Sequence, residues 1–378
     1  MQNKLDIVAK TFQGLENILF EEIKQLGVAH PEKRTRSVRF KGDWELVYKA
    51  NIFLSTAVKI LVRLGSAEVK NASELYNAIK KINWANYITL HQTFAIETIG
   101  YTPFFKNTMF INQKAKDAIA DQFREKYNKR PSIDKEKPDL PITLQFNKSK
   151  LNIYLNTSGE PLFKRGYKTE KTVKAPLNEI IAAAIIRISK WDKKTPLIDP
   201  MCGSGTIPIE AALFAYNLPP NFYRSDFAFI NWKNFDLNLW TQIRDNIKIS
   251  NFQEKKIIFA SDIDSEAIRI AKQNIAKFKF TKYIEIEKKD FFDLKPKCEN
   301  ATIIFNPPYG KRLNLKDRNA FYKAIGNKIK RDLVNYNVWI YTMEGSGIEN
   351  IGLKPLKKIN IYNANIKAFF YNFKYEKK

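Results

Sequence analysis

Two short stretches of this 378-residue chain carry residue types suited to chemistry on a flat, amine-bearing ring. The first is Asn306-Pro307-Pro308-Tyr309. Proline has no N–H and fixes φ, so paired prolines stiffen a turn and leave its carbonyls available. An exocyclic amine on a base is a poor nucleophile, because its lone pair is delocalised into the ring. The Asn306 side-chain oxygen and the Pro307 carbonyl can accept its two N–H bonds and favour a pyramidal nitrogen, while Tyr309 stacks on the base. Attack on an electrophilic methyl then needs positioning more than a strong base.

The second stretch is Asp199-Pro200-Met201-Cys202-Gly203-Ser204-Gly205-Thr206. Its glycines let the backbone approach a ligand that a Cβ would push away. A helix beginning at Thr206 would present free N–H groups and a positive dipole end to a carboxylate. Pro208 stands three places after Gly205, so this is not the dinucleotide pattern, and no Gly-Lys-Thr makes it a phosphate loop. Two further acids end strands. Asp262 suits a ribose, or else caps the next helix, a task Asp264 fits better. Asp290 can accept from an adenine amine while Phe291 packs on the ring.

The elements that must position these residues alternate. A helix over 176–190 leads to the apolar strand 196–199, then helix 206–216, strand 257–260, helix 265–278, strands 283–287 and 302–305, helix 317–333 and strand 338–341. Such alternation predicts a parallel sheet covered on both faces, with ligands beyond the carboxyl ends of the strands. Residues 217–250, with Trp232 and Trp240 among Asn and Asp, read as an insertion. The first 160 residues mix short strands (4–9, 37–42, 94–99) with helices (14–26, 43–55, 73–81, 112–127) and a hairpin (142–146 with 151–155), an α+β region.

Composition sets the limits. Hydrophobic residues make up 44% of the chain, which supports a real core, and no apolar run approaches a membrane span. The N-terminus lacks an apolar signal core, so the chain reads as cytoplasmic. Cys202 and Cys298 form no disulfide framework or zinc pattern, and two histidines leave little room for a His-based triad. The net charge of +25 favours polyanionic partners. It is spread over the chain, with 28 basic against 18 acidic residues in 1–170 and 36 against 21 in the remainder.

Together these motifs resemble the class I S-adenosylmethionine-dependent methyltransferases that act on exocyclic amino nitrogens. Phe163-Lys164-Arg165-Gly166-Tyr167, followed by Ala175-Pro176-Leu177-Asn178-Glu179, is similar to the linker and lead-in helix of THUMP-containing RNA methyltransferases. Residues 199–206 match the pattern of the bacterial large-subunit rRNA guanine-N2 group without a change. The resemblance covers essentially the whole chain and is strongest over 163–312. It implies a ferredoxin-like part at 1–50, a THUMP RNA-binding domain at 51–158, a linker at 159–175 and a Rossmann-like α/β methyltransferase domain at 176–378. In some relatives a second methyltransferase domain follows; this chain ends at Lys378, so that activity is expected to be absent.

The resemblance also implies a cofactor, S-adenosylmethionine. Pro176, Asp199, Pro200, Cys202, Gly203, Ser204, Gly205, Thr206, Asp262, Ile263, Asp290, Phe291 and Asn306 would hold it. The target base would meet Asn306, Pro307, Pro308 and Tyr309 after leaving its stack. Candidate phosphate contacts are Lys164, Arg165 and Lys168 in the linker, Lys311 and Arg312 beside the catalytic turn, and Lys33, Arg34 and Arg36; each could equally be a solvated surface charge. A cysteine-dependent C5 mechanism is disfavoured. The expected substrate is guanine N2 in RNA, 23S rRNA or its assembly intermediate, with the protein a monomer needing neither metal nor membrane. The alternatives are guanine N2 of tRNA, adenine N6 of RNA or DNA, and a non-catalytic RNA-binding assembly factor.

Overall fold

A computed structural model of the chain describes residues 4–168, 176–247, 257–296, 298–308, 315–363 and 366–376. In chain order the elements are β1 (Leu5–Lys10), α1 (Glu16–Gln25), β2 (Glu32–Arg34), β3 (Ser37–Gly42), α2 (Trp44–Phe53), β4 (Lys59–Glu68), α3 (Ala72–Lys80), β5 (Thr93–Tyr101), α4 (Thr108–Tyr127), β6 (Ser132–Ile133), β7 (Leu140–Asn147) and β8 (Lys150–Asn156). There follow α5 (Glu179–Ile188), β9 (Leu197–Asp199), α6 (Thr206–Ala215), α7 (Leu237–Asp245), β10 (Ile258–Asp262), α8 (Ser265–Lys277), β11 (Ile284–Lys288), β12 (Thr302–Phe305), α9 (Leu315–Asp332), β13 (Asn337–Met343), β14 (Lys357–Asn363) and β15 (Ile366–Phe373). These fall into two compact units. One comprises 1–11, 20–162 and 224–247; the other comprises 12–19, 163–223 and 248–378.

The first unit is built on a sheet in the order β2-β3-β1-β4-β8-β7-β5-β6. Its β7–β8 hairpin is the one the alternating residues predict. The strand β4 escapes that reading, because a bulge between Arg63 and Gly65 breaks its alternation and Ile60, Leu61 and Val62 are all buried. At the sheet centre the Asp6 carboxylate takes two hydrogen bonds from Arg39, at 2.6 and 2.7 Å, and an ion pair from Arg63.

Most of the stretch read as an insertion belongs to this first unit. The reason is aromatic burial. Tyr48 of α2 stacks on Phe229 at 4.6 Å between ring centroids and meets Trp240 edge-on at 5.9 Å. Trp232 meets Trp44 edge-on at 6.1 Å. Such pairs contribute about 0.5–1.5 kcal/mol each beyond their buried area. Arg224, only 4% exposed, fastens the segment by donating to the carbonyls of Ser158, Glu160 and Pro161.

The second unit carries a sheet in the order β11-β10-β9-β12-β13-β15-β14. β9 to β13 run parallel; β15 is antiparallel to both β13 and β14. The closing β14–β15 hairpin lies beyond the predicted alternation. The order reverses between β9 and β12, and at such a switch point a crevice opens beyond the strand ends. β9 needs only three residues, all buried, because β10 and β12 hold it from both sides.

Candidate active site

The crevice is a cavity of about 1060 Å³. Asp199, the last residue of β9, lies at its base with no solvent exposure. Beyond it the chain turns back under strict control. The Cys202 N–H donates to the Ser261 carbonyl at 3.0 Å, and the Gly203 N–H to Asp262 Oδ2 at 2.8 Å. The buried Asn274 amide of α8 donates to the Ser204 carbonyl at 2.9 Å. Gly203 and Gly205 have φ of +53° and +82°, a region open to glycine at little cost.

Asp262 therefore helps build the turn. One carboxylate oxygen takes the Gly203 N–H and the other the Asp264 N–H, at 3.0 Å. A carboxylate has about four lone-pair sites, so two remain for a ligand. Asp264 caps α8 as expected, accepting from the Glu266 N–H at 2.8 Å. Asp290 caps a single turn of 3₁₀ helix over Phe291–Asp293 by accepting the Phe292 N–H. Phe291 is 3% exposed and packs on Phe305 at 5.3 Å.

Most of the residues chosen from the sequence come together here. Pro176, Asp199, Pro200, Cys202, Gly203, Ser204, Thr206, Asp262, Ile263, Asp290, Phe291, Asn306 and Pro308 all line the cavity. Gly205 does not. Its missing Cβ instead lets α6 and α8 approach, for a Cβ there would sit 3.2 Å from that of Ala271. Pro307 is buried and does not line it either. Tyr309, Lys311 and Arg312 lie outside the described residues. Sequence reasoning missed Leu177, Met201, Ile207, Phe292 and Phe321 on the wall. These apolar residues carry no polar signature, and only their adjacency to the motifs could have flagged them.

The charges of the wall are one-sided. Asp199, Asp262, Asp264, Glu266 and Asp290 face the cavity, and no Lys or Arg does so among the described residues. In a chain of net charge +25 this selects a cationic ligand. On this wall two buried oxygens have no partner among the described residues, Oδ2 of Asp199 and Oδ1 of Asn306. An unmet buried acceptor is costly, so both ask for a donor from a ligand. Burial pushes the Asp199 carboxyl well above the usual range, with Asp262 adding to the effect and the Met201 N–H opposing it. Burial, reinforced by Asp199 and Asp262, pushes the Cys202 thiol up as well, so it stays protonated and is no nucleophile.

The linker cations behave differently from one another. Arg165 is a correction: its side chain is fully buried, with Nε 3.3 Å from Glu210 Oε1, and it cannot meet a phosphate. Lys168 is largely buried too, bound to Glu179 at 3.0 Å and to the Leu177 carbonyl at 2.8 Å, which fixes the wall at Pro176-Leu177. Lys164, Lys33, Arg34 and Arg36 are exposed. On the far side of the cavity the buried Lys328 of α9 donates to the Phe292 carbonyl at 2.6 Å and pairs with Asp332 at 2.8 Å.

Comparisons with known proteins agree with this geometry. Residues 165–371 match the RMKL-like methyltransferase domain, 69–156 the THUMP domain and 6–61 the RlmL ferredoxin-like domain. A Synechocystis sp. protein named for RNA methyltransferase activity is 31% identical over 360 residues, 95% of this chain and 94% of the relative. The ribosomal RNA large subunit methyltransferase K/L of Colwellia psychrerythraea is 34% identical over 366 residues, 94% of this chain but 51% of the relative. The chain thus spans about half the length of the K/L relatives it matches. The methyltransferase SMU.472, solved with S-adenosylhomocysteine, superposes with a TM-score of 0.86 at 28% identity, covering 100% of both chains. With a ferredoxin-like and THUMP region ahead of a methyltransferase fold whose strand ends meet in an acidic cavity, the chain belongs to the RMKL-like methyltransferase family.

Proposed function

We propose that the protein methylates the exocyclic N2 amine of a guanine in RNA, most fittingly 23S rRNA, with S-adenosylmethionine as donor. The observation that carries this reading is the buried Asn306 Oδ1, without a partner among the described residues, on the wall of an acidic cavity at the switch point. The donor set fits the cofactor. Asp199 and its neighbouring carboxylates suit an ammonium and a sulfonium, Asp262 has lone pairs left for ribose hydroxyls, and Asp290 beside Phe291 suits an adenine. When bound, that cofactor supplies a methyl group on sulfonium sulfur, an electrophile whose leaving group is a neutral thioether.

The chain's own residues do the rest. Asn306 Oδ1 accepts an N–H of the base amine and holds its nitrogen toward the cavity, with Pro308 fixing the turn. Pro307 is left out of this assignment because it lies off the wall. Phe292 and Phe321 exclude water from the same space. The C–S bond breaks as the N–C bond forms, and the methylated amine, then positively charged, releases its proton to water, so no strong base is asked of the site, in keeping with the absence of His from the described wall. The RNA would be gripped by the THUMP region and by exposed cations such as Lys164, and the protein would act in the cytoplasm as a monomer.

The test uses labelled S-adenosylmethionine and RNA. Asn306→Ala should abolish transfer while cofactor binding, read by calorimetry, stays within about threefold. Normal transfer by that variant would overturn the assignment. Nucleoside mass spectrometry of rRNA and tRNA from a deletion strain then reads the base and the RNA. Loss of N2-methylguanosine from large-subunit rRNA is expected. Loss from tRNA, or loss of N6-methyladenosine, would move the protein to the corresponding alternative, and no loss at all would favour a non-catalytic factor.

A further inference from the structure

The second candidate for a binding surface lies on the first unit, at the end of its sheet where β5 stops. Among the described residues twelve large apolar side chains are exposed, and five of them, Ile99, Tyr101, Phe104, Met109 and Phe110, fall within residues 99–110. Tyr101 and Met109 are 68% and 69% exposed. Scattered apolar residues need no explanation, but five exposed within twelve consecutive residues are a concentration of the kind that contact surfaces use. Phe110 and its neighbour Phe105 are held in place. Phe105 stacks on Phe110 at 6.1 Å and meets Phe146 edge-on at 6.0 Å, which fixes the 102–107 loop against β7. Asn107 caps α4 by accepting the Phe110 N–H at 2.8 Å.

Lysines outnumber carboxylates around these rings. No carboxylate occurs between Glu97 and Asp117, a stretch that holds Lys106, Lys114 and Lys116. The β7–β8 turn adds Lys148 and Lys150, and it lies beside the rings because the Lys148 N–H donates to the Tyr101 carbonyl at 2.8 Å. Lys106, Lys148 and Lys150 are exposed and make no ion pair among the described residues. Acids also stand at this end of the sheet: Glu68 is opposite Lys150 in register, and the exposed Glu74 accepts the Lys70 N–H next to Val69, whose own N–H donates to the Ser149 carbonyl. Flat apolar faces set among unpaired lysines suit a ligand that is both planar and polyanionic. Unpaired nucleotides meet that description, stacking on rings while their phosphates meet lysine.

We propose that this platform, Tyr101 and Phe104 with Lys106 and Lys148, binds an unpaired stretch of the substrate RNA by base stacking. The proposal rests on the reading of RNA as substrate. It gives the first unit a reading head for single strands. Double-stranded RNA hides its base faces, so the platform would prefer loops and single-stranded flanks.

The test is fluorescence anisotropy of the full chain with a labelled ten-nucleotide oligoribonucleotide at several salt concentrations. Tyr101→Ala and Phe104→Ala should each weaken binding by about five- to 150-fold, the range for loss of one stacking ring. Tyr101→Phe should bind like the parent, because it keeps the ring. Lys106→Gln with Lys148→Gln should lower the slope of log affinity against log salt by about 1.4, the loss of two single-strand phosphate contacts. Calorimetry of S-adenosylhomocysteine binding should be unchanged in all of them. Equal oligonucleotide affinity in the Ala variants would overturn the platform, as would a Tyr101→Ala effect confined to self-association in sedimentation. If the parent binds the oligonucleotide through these rings yet transfers no methyl group to RNA, the platform stands and the methyltransfer reading falls.

Discussion

Removing Arg165 should destabilise the helices around it, because its side chain is buried against Glu210. Its guanidinium and the Glu210 carboxylate have side-chain exposures of 0% and 1%. Tyr167 also donates to Glu210, at 3.2 Å, and its hydroxyl is pushed well up by burial. Removing one member of a buried pair leaves an uncompensated charge and costs about 3–5 kcal/mol. Arg165→Met should therefore lower the opening free energy of α5 and α6 by about that amount in hydrogen exchange at pH 7. The double variant Arg165→Met with Glu210→Gln should recover most of the loss, since the charge is removed and an acceptor for Tyr167 is kept.

The pH dependence has a definite sign. Burial holds the Glu210 carboxyl above its ordinary value, outweighing the lowering by Arg165. A raised folded-state pKa means that the folded protein binds the proton more tightly than the unfolded chain. Its contribution to stability is fully present below the unfolded value of about 4.3 and is lost as pH rises through the folded one. Taking Arg165 away raises the folded value further. The deficit of Arg165→Met is then greatest above neutral pH and shrinks on acidification, by up to about 1.4 kcal/mol per pH unit. If Arg165→Met stays within about 1 kcal/mol of the parent at pH 7 while RNA affinity drops tenfold, the burial argument is refuted and the phosphate reading returns.

Other outcomes follow from the same geometry. The raised carboxyl of Asp199 should ionise when a cationic cofactor binds, so affinity should rise with pH, at most tenfold per unit, and calorimetry in two buffers should show proton release; a flat profile from pH 5 to 9 would count against it. Asp199→Asn should flatten that profile. Gly205→Ala forces a non-glycine residue to φ of +82° against Ala271, and should cost about 1–3 kcal/mol in α6 and α8 exchange. Lys328→Met should raise KM for S-adenosylmethionine more than it lowers kcat, because it frees the Phe292 carbonyl at the cavity wall; equal effects on both would mean general loosening of α9. Trp240→Ala should speed exchange in α2, by about 3–5 kcal/mol of opening free energy, if 224–247 folds with the first unit.

What the sequence disclosed, and what it hid, follows from how local each signal is. The cavity could be read because its polar residues sit at strand ends, where one short turn both fixes the backbone and carries the side chain. Asp199, Asp262 and Asn306 needed only the order of strands to bring them together. The fate of 224–247 could not be read the same way. The segment interrupts the alternation in sequence, but its place is decided by Tyr48 and Trp44, nearly two hundred residues earlier, and periodicity within a window says nothing of such pairs.

Arg165 is the intermediate case. Its own neighbourhood, Lys164-Arg165-Gly166-Tyr167-Lys168, looks like a solvated basic stretch. The missing signal is on the other partner. The helix over 206–215 has buried residues from Thr206 to Leu213, and Glu210 is the one acid among them. A lone carboxylate inside an apolar helix requires a cation or a proton. Had that requirement been followed, the nearest basic cluster in the chain that leads into the domain would have been drawn inward. Glu210→Leu, tested alone, should then be as costly as Arg165→Met, because it strands the guanidinium in the same dry space; but its deficit should not shrink on acidification, since no carboxyl remains to take up a proton.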